Sequence, residues 1–308
     1  MLMPDNFPKK VKLREVGPRD GFQNVEAFIP TAGKLAVIDA LATAGAREIE
    51  VASFINEKVI PQLADAEAIM AGLAGKKFIR STLVPTPKYA LAAIEAGADQ
   101  LVVFLSASES HNRANVNRSI SESLAGLDTV FSLAADHGVS VLGAIAVSFG
   151  CPFEGAVPPD RLLSIAETFR DLGADGVIFG DTTGMATPGP VSRLVKSYQD
   201  RFSANDFSLH FHNNRGSAMS NLLAAMQVGA TTFDTALGGI GGCPTVPQAA
   251  GNLATEDVVC LLHEMGIETG IDLNLLITAA RDMEALLGYP LPGQVMKSGP
   301  IDWQAGNP

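Results

Sequence analysis

Leu209-His210-Phe211-His212 ends a short apolar run, and in an extended strand alternate side chains face the same way. Both imidazoles then project from one face, with Leu209 and Phe211 on the other. Two histidines so placed can chelate a borderline divalent cation, and oxygen ligands complete the shell when an oxygen-rich substrate is to be activated. The same pair would serve equally as ordinary half-buried strand histidines, so the choice depends on which other polar groups share that end of the strands.

Asp20 lies in Gly17-Pro18-Arg19-Asp20-Gly21 and Asn252 follows Gly251, offering one carboxylate and one amide oxygen. A nitrogen and oxygen set without thiolate suits Mg or Mn in an octahedral shell that leaves room for a chelating substrate. An Asp before Gly is also a common turn residue. Arg19 differs in kind, because a guanidinium beside such a carboxylate can stabilise an enolate or carboxylate anion with paired hydrogen bonds, where its plainer use is a surface ion pair. Glu50, inside the apolar run 48–52, needs a partner if buried, and Arg19 is the obvious one.

Cys243 sits in a loop with glycine at 238, 239, 241, 242 and 251. A thiol with a reference pKa of about 8.5 stays mostly protonated at neutral pH and can give a proton to a carbanion. The alternative, a small buried hydrophobe, suits Cys151 and Cys260 better. His111, His137 and His263 fall in loop or helix stretches and read as structural.

Of 308 residues 47 % are apolar and 18 % charged, with a net charge of -11. This allows a large core and argues against nucleic-acid or anionic-membrane partners, both of which need a basic face. The first residues lack the charged start and apolar core of a secretory signal, and no apolar run is long enough to cross a bilayer, so a cytoplasmic setting is expected. Three cysteines without CxxC spacing make neither a disulfide framework nor a zinc site.

A faint repeat organises the chain. Ala44-Gly45-Ala46, Ala96-Gly97-Ala98, Leu172-Gly173-Ala174 and Val228-Gly229-Ala230 each close a helix-like stretch and open a β-rich run, with His137-Gly138-Val139 a looser copy. Strands are predicted over 11–16, 48–52, 78–83, 100–105, 140–147, 176–179, 207–211 and 232–235, with helices over 33–44, 63–73, 87–96, 120–137, 159–172, 188–202, 217–228 and 255–266. The alternation predicts an α/β protein, a (β/α)8 TIM barrel over about 11–270, followed by a helix over 273–287 and a Pro/Gly-rich tail within a C-terminal extension of about 271–308. No linker marks a second domain, so 1–308 is expected to form one unit. A doubly wound open sheet is the competing fold, but no Gly-x-Gly-x-x-Gly follows the first strand. In a barrel of this kind the active site lies at the carboxyl ends of the strands, where Asp20, Asp181, His210 and the 238–252 loop all fall.

With these segments in view, the chain resembles the 3-hydroxy-3-methylglutaryl-CoA lyases, a branch of the DRE-TIM metallolyases, across nearly its whole length. The matching segments are Glu15-Val16-Gly17-Pro18-Arg19-Asp20-Gly21, Ser53-Phe54, Gly150-Cys151-Pro152-Phe153-Glu154-Gly155, Gly180-Asp181-Thr182, Gly241-Gly242-Cys243-Pro244 and Gly251-Asn252-Leu253-Ala254-Thr255-Glu256-Asp257. The resemblance implies a lyase of the kind used in leucine catabolism, which cleaves a 3-hydroxyacyl-CoA to acetyl-CoA and a keto acid with Mg or Mn. It implies that Asp20, His210, His212 and Asn252 hold the cation, that Arg19 steadies the enolate, that Cys243 protonates it, and that Glu50 and Asp181 support the site. Asp20 or His210 would act as base, while Asn115 and Thr182 would meet the acyl-CoA. Binding of CoA rests on the resemblance alone, since no phosphate loop is present and Lys58, Arg80 and Lys88 are scattered. A homodimer is the expected assembly.

One departure stands out: where the family usually reads Asp-Thr-Tyr-Gly after the second histidine, this chain has Asn213-Asn214-Arg215-Gly216. Arg215 is expected either to pair with a polar group of a substrate other than the methylglutaryl ester or to make an outward ion pair. Competing readings are a condensing synthase of the isopropylmalate type, an aldolase releasing pyruvate, and an inactive metal-binding scaffold. The last predicts damage among the rim residues, which are all present.

Overall fold

The repeating helix, glycine and strand close into a barrel of eight parallel strands, in a computed structural model describing residues 7–242 and 251–302. The strands are β1 (Lys12–Glu15), β2 (Glu48–Ser53), β3 (Ile79–Leu83), β4 (Gln100–Ser106), β5 (Ser140–Ala146), β6 (Gly176–Asp181), β7 (Phe207–Phe211) and β8 (Thr232–Thr235). Each pairs in parallel with the next, and β8 returns to β1 through Lys12 opposite Thr232 and Arg14 opposite Asp234. The helices are α1 (Thr31–Ala44), α2 (Ala66–Gly72), α3 (Pro87–Glu95), α4 (Glu109–Val116), α5 (Ile120–His137), α6 (Pro159–Asp171), α7 (Pro188–Phe202), α8 (Ala218–Gln227), α9 (Thr255–Glu264), α10 (Leu273–Leu287) and α11 (Val295–Ser298). The TIM-barrel expectation is met, strand for strand.

The repeat has the local cause expected of it. Gly45, Gly97, Gly173 and Gly229 all take positive φ, the left-handed turn that ends a helix and lets the chain re-enter the barrel as a strand. Helix α5 is set by a capping box in which Ser119 and Glu122 satisfy each other's backbone N–H, and it stops at Gly138. Helix α4 was not expected, because Glu109-Ser110-His111-Asn112-Arg113 carries almost no apolar face; the Ser108 hydroxyl caps it instead, accepting from the His111 N–H at 3.2 Å.

The segment read as a plain tail turns back over the barrel. Gly293 donates its N–H to the Gly238 carbonyl at 2.8 Å, and Asp257 receives the N–H groups of Gln294 and Val295. The extension therefore braces the 237–242 segment that follows β8. No helix among the described residues is long and apolar enough to cross a membrane.

Candidate active site

Beyond Glu15 the chain does not go straight into a loop. Residues Gly17–Gly21 form a five-residue π-type turn that carries Arg19 and Asp20 over the barrel mouth. Such turns are rare and concentrate at functional sites. Arg19 donates Nε to Glu50 Oε1 at 2.5 Å and Nη1 to Asp20 Oδ1 at 2.9 Å, so the expected Arg19–Glu50 pair is present. A register irregularity between Glu50 and Ala52 in the pairing of β2 with β3 falls beside this contact. Bulges of this sort re-aim side chains next to active sites. Burial pushes the Asp20 carboxyl up, but Arg19, then His210 and His212, outweigh it and hold Asp20 down to about 2.

Strand β7 presents its two imidazoles as alternation requires, with Leu209 and Phe211 buried on the opposite face. His210 Nε2 and His212 Nε2 lie 3.0 Å apart, and each is 3.9 Å from Asp20 Oδ2. Asn252 is brought to His212 by an isolated antiparallel bridge and donates Nδ2 to Asp20 Oδ2 at 2.7 Å. Gly241 permits that approach, since a Cβ there would come within 2.6 Å of Asn252 Nδ2 and its φ is +141°. Burial lowers the His212 pKa to about 4, aided by the neighbouring His210, so His212 is neutral at physiological pH. Burial also lowers His210, but the hydrogen bond and charge of Asp234 and the charge of Asp20 more than reverse it.

Could this cluster hold a divalent cation? Asp20, His210 and His212 each offer a ligand atom, and these atoms all lie within 4.8 Å of one another. Metal–ligand bonds of about 2.0–2.2 Å on an octahedron put adjacent donors roughly 3 Å apart and opposite ones roughly 4.3 Å apart, a range that spans the distances found here. His210 Nδ1 faces Asp234 Oδ2 at 3.2 Å, and donating there leaves the Nε2 lone pair facing the cluster. Asn252 Oδ1 is buried with no hydrogen-bond partner, and turning the amide over would bring it beside Asp20. The donor set fits Mg or Mn.

A cavity of about 660 Å³ opens over this cluster, lined by Arg19, Asp20, Glu50, Asn115, Thr182, His210 and His212 among others. Two residues expected at the site turn elsewhere. Asp181 spends Oδ1 on the N–H groups of Met185 and Ala186, at 2.8 and 2.9 Å, and shapes the turn after β6; burial pushes its pKa up to about 7. Arg215 gives Nη1 to the carbonyls of Thr183 and Gly184, both at 2.9 Å. These bonds tie the loop after β7 to the turn after β6. Cys243 lies outside the described residues; Gly242, just before it, lines the cavity.

Three participants escaped the sequence reading. Asp234 on β8 holds His210 and accepts from Arg14 Nη1 at 2.8 Å, while Arg14 Nε donates to Glu48. The available signal was a charged residue at an inward position of three separate apolar strands, since charges buried in a barrel must find one another.

Under the mouth, Glu15 and Glu256 anchor the segment after β8. Glu15 Oε1 accepts from the N–H of Leu237 at 2.9 Å, and Glu256 Oε2 from that of Gly238 at 3.0 Å. Burial pushes Glu15 up to about 7 and Glu256 up to about 8. Above the ordinary value of 4.5 the unfolded chain has released protons that the folded protein still binds. These two carboxyls therefore cost stability progressively as pH rises from 4.5 toward about 8. In urea titrations of wild type and Glu256→Gln, the wild-type midpoint is expected to fall relative to the variant's between about pH 4.5 and 8. Parallel midpoints across that window would contradict the assignment.

Comparison with known proteins agrees with the geometry. The HMGL-like family model matches residues 10–283. Hydroxymethylglutaryl-CoA lyase YngG of Bacillus subtilis is 41 % identical over 296 residues, covering 95 % of this chain and 99 % of the relative. The (R)-citramalyl-CoA lyase of Chloroflexus aurantiacus is 41 % identical over 303 residues, covering 94 % of this chain and 95 % of the relative. Among solved structures, an HMG-CoA lyase from Acinetobacter baumannii in complex with coenzyme A and 3-methylmalate superposes with a TM-score of 0.92 at 40 % identity, covering all of both chains. With the match spanning the barrel from β1 into α10, this chain belongs to the HMGL-like family.

Proposed function

We propose that this protein is a divalent-cation-dependent carbon–carbon lyase, cleaving a 3-hydroxyacyl-CoA, 3-hydroxy-3-methylglutaryl-CoA or a close analogue, to acetyl-CoA and a keto acid. The observation that carries the reading is the convergence of Asp20, His210 and His212 beside the Arg19–Glu50 pair in one open cavity. The relatives' names supply the substrate class: one is a hydroxymethylglutaryl-CoA lyase and one a citramalyl-CoA lyase. The complex with coenzyme A and 3-methylmalate supports an acyl-CoA partner.

Bound by Asp20, His210, His212 and the Asn252 amide, Mg or Mn would supply Lewis acidity to the alcohol and to the ketone that replaces it. His210 is a stronger proton acceptor than Asp20, because Asp234 raises its basicity while Arg19 depresses that of Asp20. The hydroxyl proton goes to Asp20 or His210, the two proton acceptors beside the cation site; where His210 takes it, Nε2 gives its lone pair to the proton and the cation would rest on Asp20, His212 and the Asn252 amide. As the C–C bond breaks, its electron pair moves into the thioester, and Arg19 faces the resulting enolate oxygen. Its Nε and Nη1 are committed to Glu50 and Asp20, and Nη2 has no hydrogen-bond partner among the described residues. The Cys243 thiol then protonates the enolate carbon to give acetyl-CoA.

The test is mass-spectrometric detection of acetyl-CoA from a mixed pool of 3-hydroxyacyl-CoA esters, with and without Mn. Cation-dependent acetyl-CoA release is the expected result, and its absence with every ester overturns the reading.

A further inference from the structure

The interior of this barrel is divided, and half of it is left open. Strands β1, β2, β7 and β8 contribute charged side chains to the interior, among them Glu50, His210 and Asp234. Strands β3 to β6 contribute the opposite wall, where the cavity runs down to Leu83, Val102, Phe104, Ala144 and Ile178. Barrels of this fold ordinarily fill their centre with layers of bulky branched side chains. Along β5, however, Leu142, Ala144 and Ala146 are only partly buried, whereas Val141, Gly143 and Ile145 are fully covered on the helix side. Gly143 faces outward, its missing Cβ occupied by the Phe169 ring, which confirms that Ala144 points inward. Ala144 pairs with Phe104 on one side and Ile178 on the other, so a single methyl stands between two large side chains at the depth where a barrel is usually plugged.

We propose that this apolar wall is a subsite for a hydrocarbon substituent larger than methyl on the carbinol carbon of the substrate. The inference rests on the lyase reading above and narrows its substrate class. A carbinol whose oxygen lies against Asp20 and the two histidines has its remaining substituent free to point across the barrel. The apolar wall would desolvate it, and each added methylene buried there is worth about a fourfold gain in kcat/KM until the recess is full. The charged wall cannot take that substituent, because burying hydrocarbon against Glu50 and Asp234 would strip polar groups of their partners.

The experiment compares acetyl-CoA release from 3-hydroxy-3-alkylglutaryl-CoA esters bearing methyl, ethyl, propyl and isobutyl groups, with Mn present. The wild type is expected to prefer the longer groups, and Ala144→Phe is expected to cut the ratio of isobutyl to methyl kcat/KM by at least about tenfold. Ala144→Leu is a second variant in case Phe impairs folding, with circular dichroism confirming the fold. A wild-type preference for methyl, or an equal loss for all esters on substituting Ala144, as expected if the recess holds the thioester arm, overturns the proposal. Calorimetric binding of the free 3-hydroxy-3-alkylglutarates with Mn provides the independent arm. Affinity is expected to rise with alkyl length in the wild type and not in the variants, and a flat series overturns the subsite. Failure of every ester to yield acetyl-CoA would overturn the lyase reading itself, while the binding series still decides the recess.

Discussion

Asp20→Ala is expected to lower turnover on the order of 10³-fold and to weaken Mn binding in the same variant. Two contributions combine. The carboxylate is the one anionic donor in the cluster, and it also receives Arg19 Nη1 and Asn252 Nδ2, so its removal releases the guanidinium and the amide together. Because Arg19, with His210 and His212, outweighs the opposing effect of burial and holds Asp20 down to about 2, it stays ionised across the physiological range and its effect is present at every pH at which the fold survives. Calorimetric titration with Mn, beside acetyl-CoA release at saturating Mn, checks both parts. Wild-type affinity for Mn in Asp20→Ala would remove this residue from the cation site.

Arg19→Gln is the second large effect, an expected fall in kcat of about 10² to 10³ with a much smaller change in KM. The asymmetry follows from where the charge develops: the thioester oxygen is nearly neutral in the ground state and anionic only as the bond breaks. The substitution also leaves Glu50, 2 % exposed, without its cation, and an unpaired buried carboxylate destabilises by about 3–5 kcal/mol. The double variant Arg19→Gln/Glu50→Gln separates the two effects. Its thermal midpoint is expected to recover most of what the single variant loses, while kcat stays low. If kcat recovers together with the midpoint, Arg19 acts only through the fold.

Much of the architecture was legible without coordinates, because its signals are local. Gly45, Gly97, Gly173 and Gly229 announced helix ends, since only glycine enters the left-handed turn cheaply, and the apolar runs after them could only be strands buried on both faces. The shared face of His210 and His212 followed from strand alternation, and the Arg19–Glu50 pair from the cost of leaving an acid alone in an apolar run. Helix α4 was missed because its residues carry no periodic apolar face. The carbonyl partners of Arg215 could not be read from the sequence, because a long side chain's reach is set by what lies near it in space, here the carbonyls of Thr183 and Gly184.

The sequence by itself determined the strand and helix alternation, the face of β7 that carries the imidazoles and the chemical types available to grip a cation. Closure of the barrel decided the rest. Asp234 reaches Arg14 across 220 residues only because β8 pairs with β1, and no local rule shows that this pair would stand behind His210. The rolled sheet likewise set Ala144 between Phe104 and Ile178, leaving one wall of the interior open, whereas the Asp181 contacts to the N–H groups of Met185 and Ala186 are those of a local turn. The physical reason is one of range. A period of two or 3.6 residues is written in neighbouring side chains, whereas the partner of a buried charge and the volume left in a core depend on strands that meet only when the sheet closes.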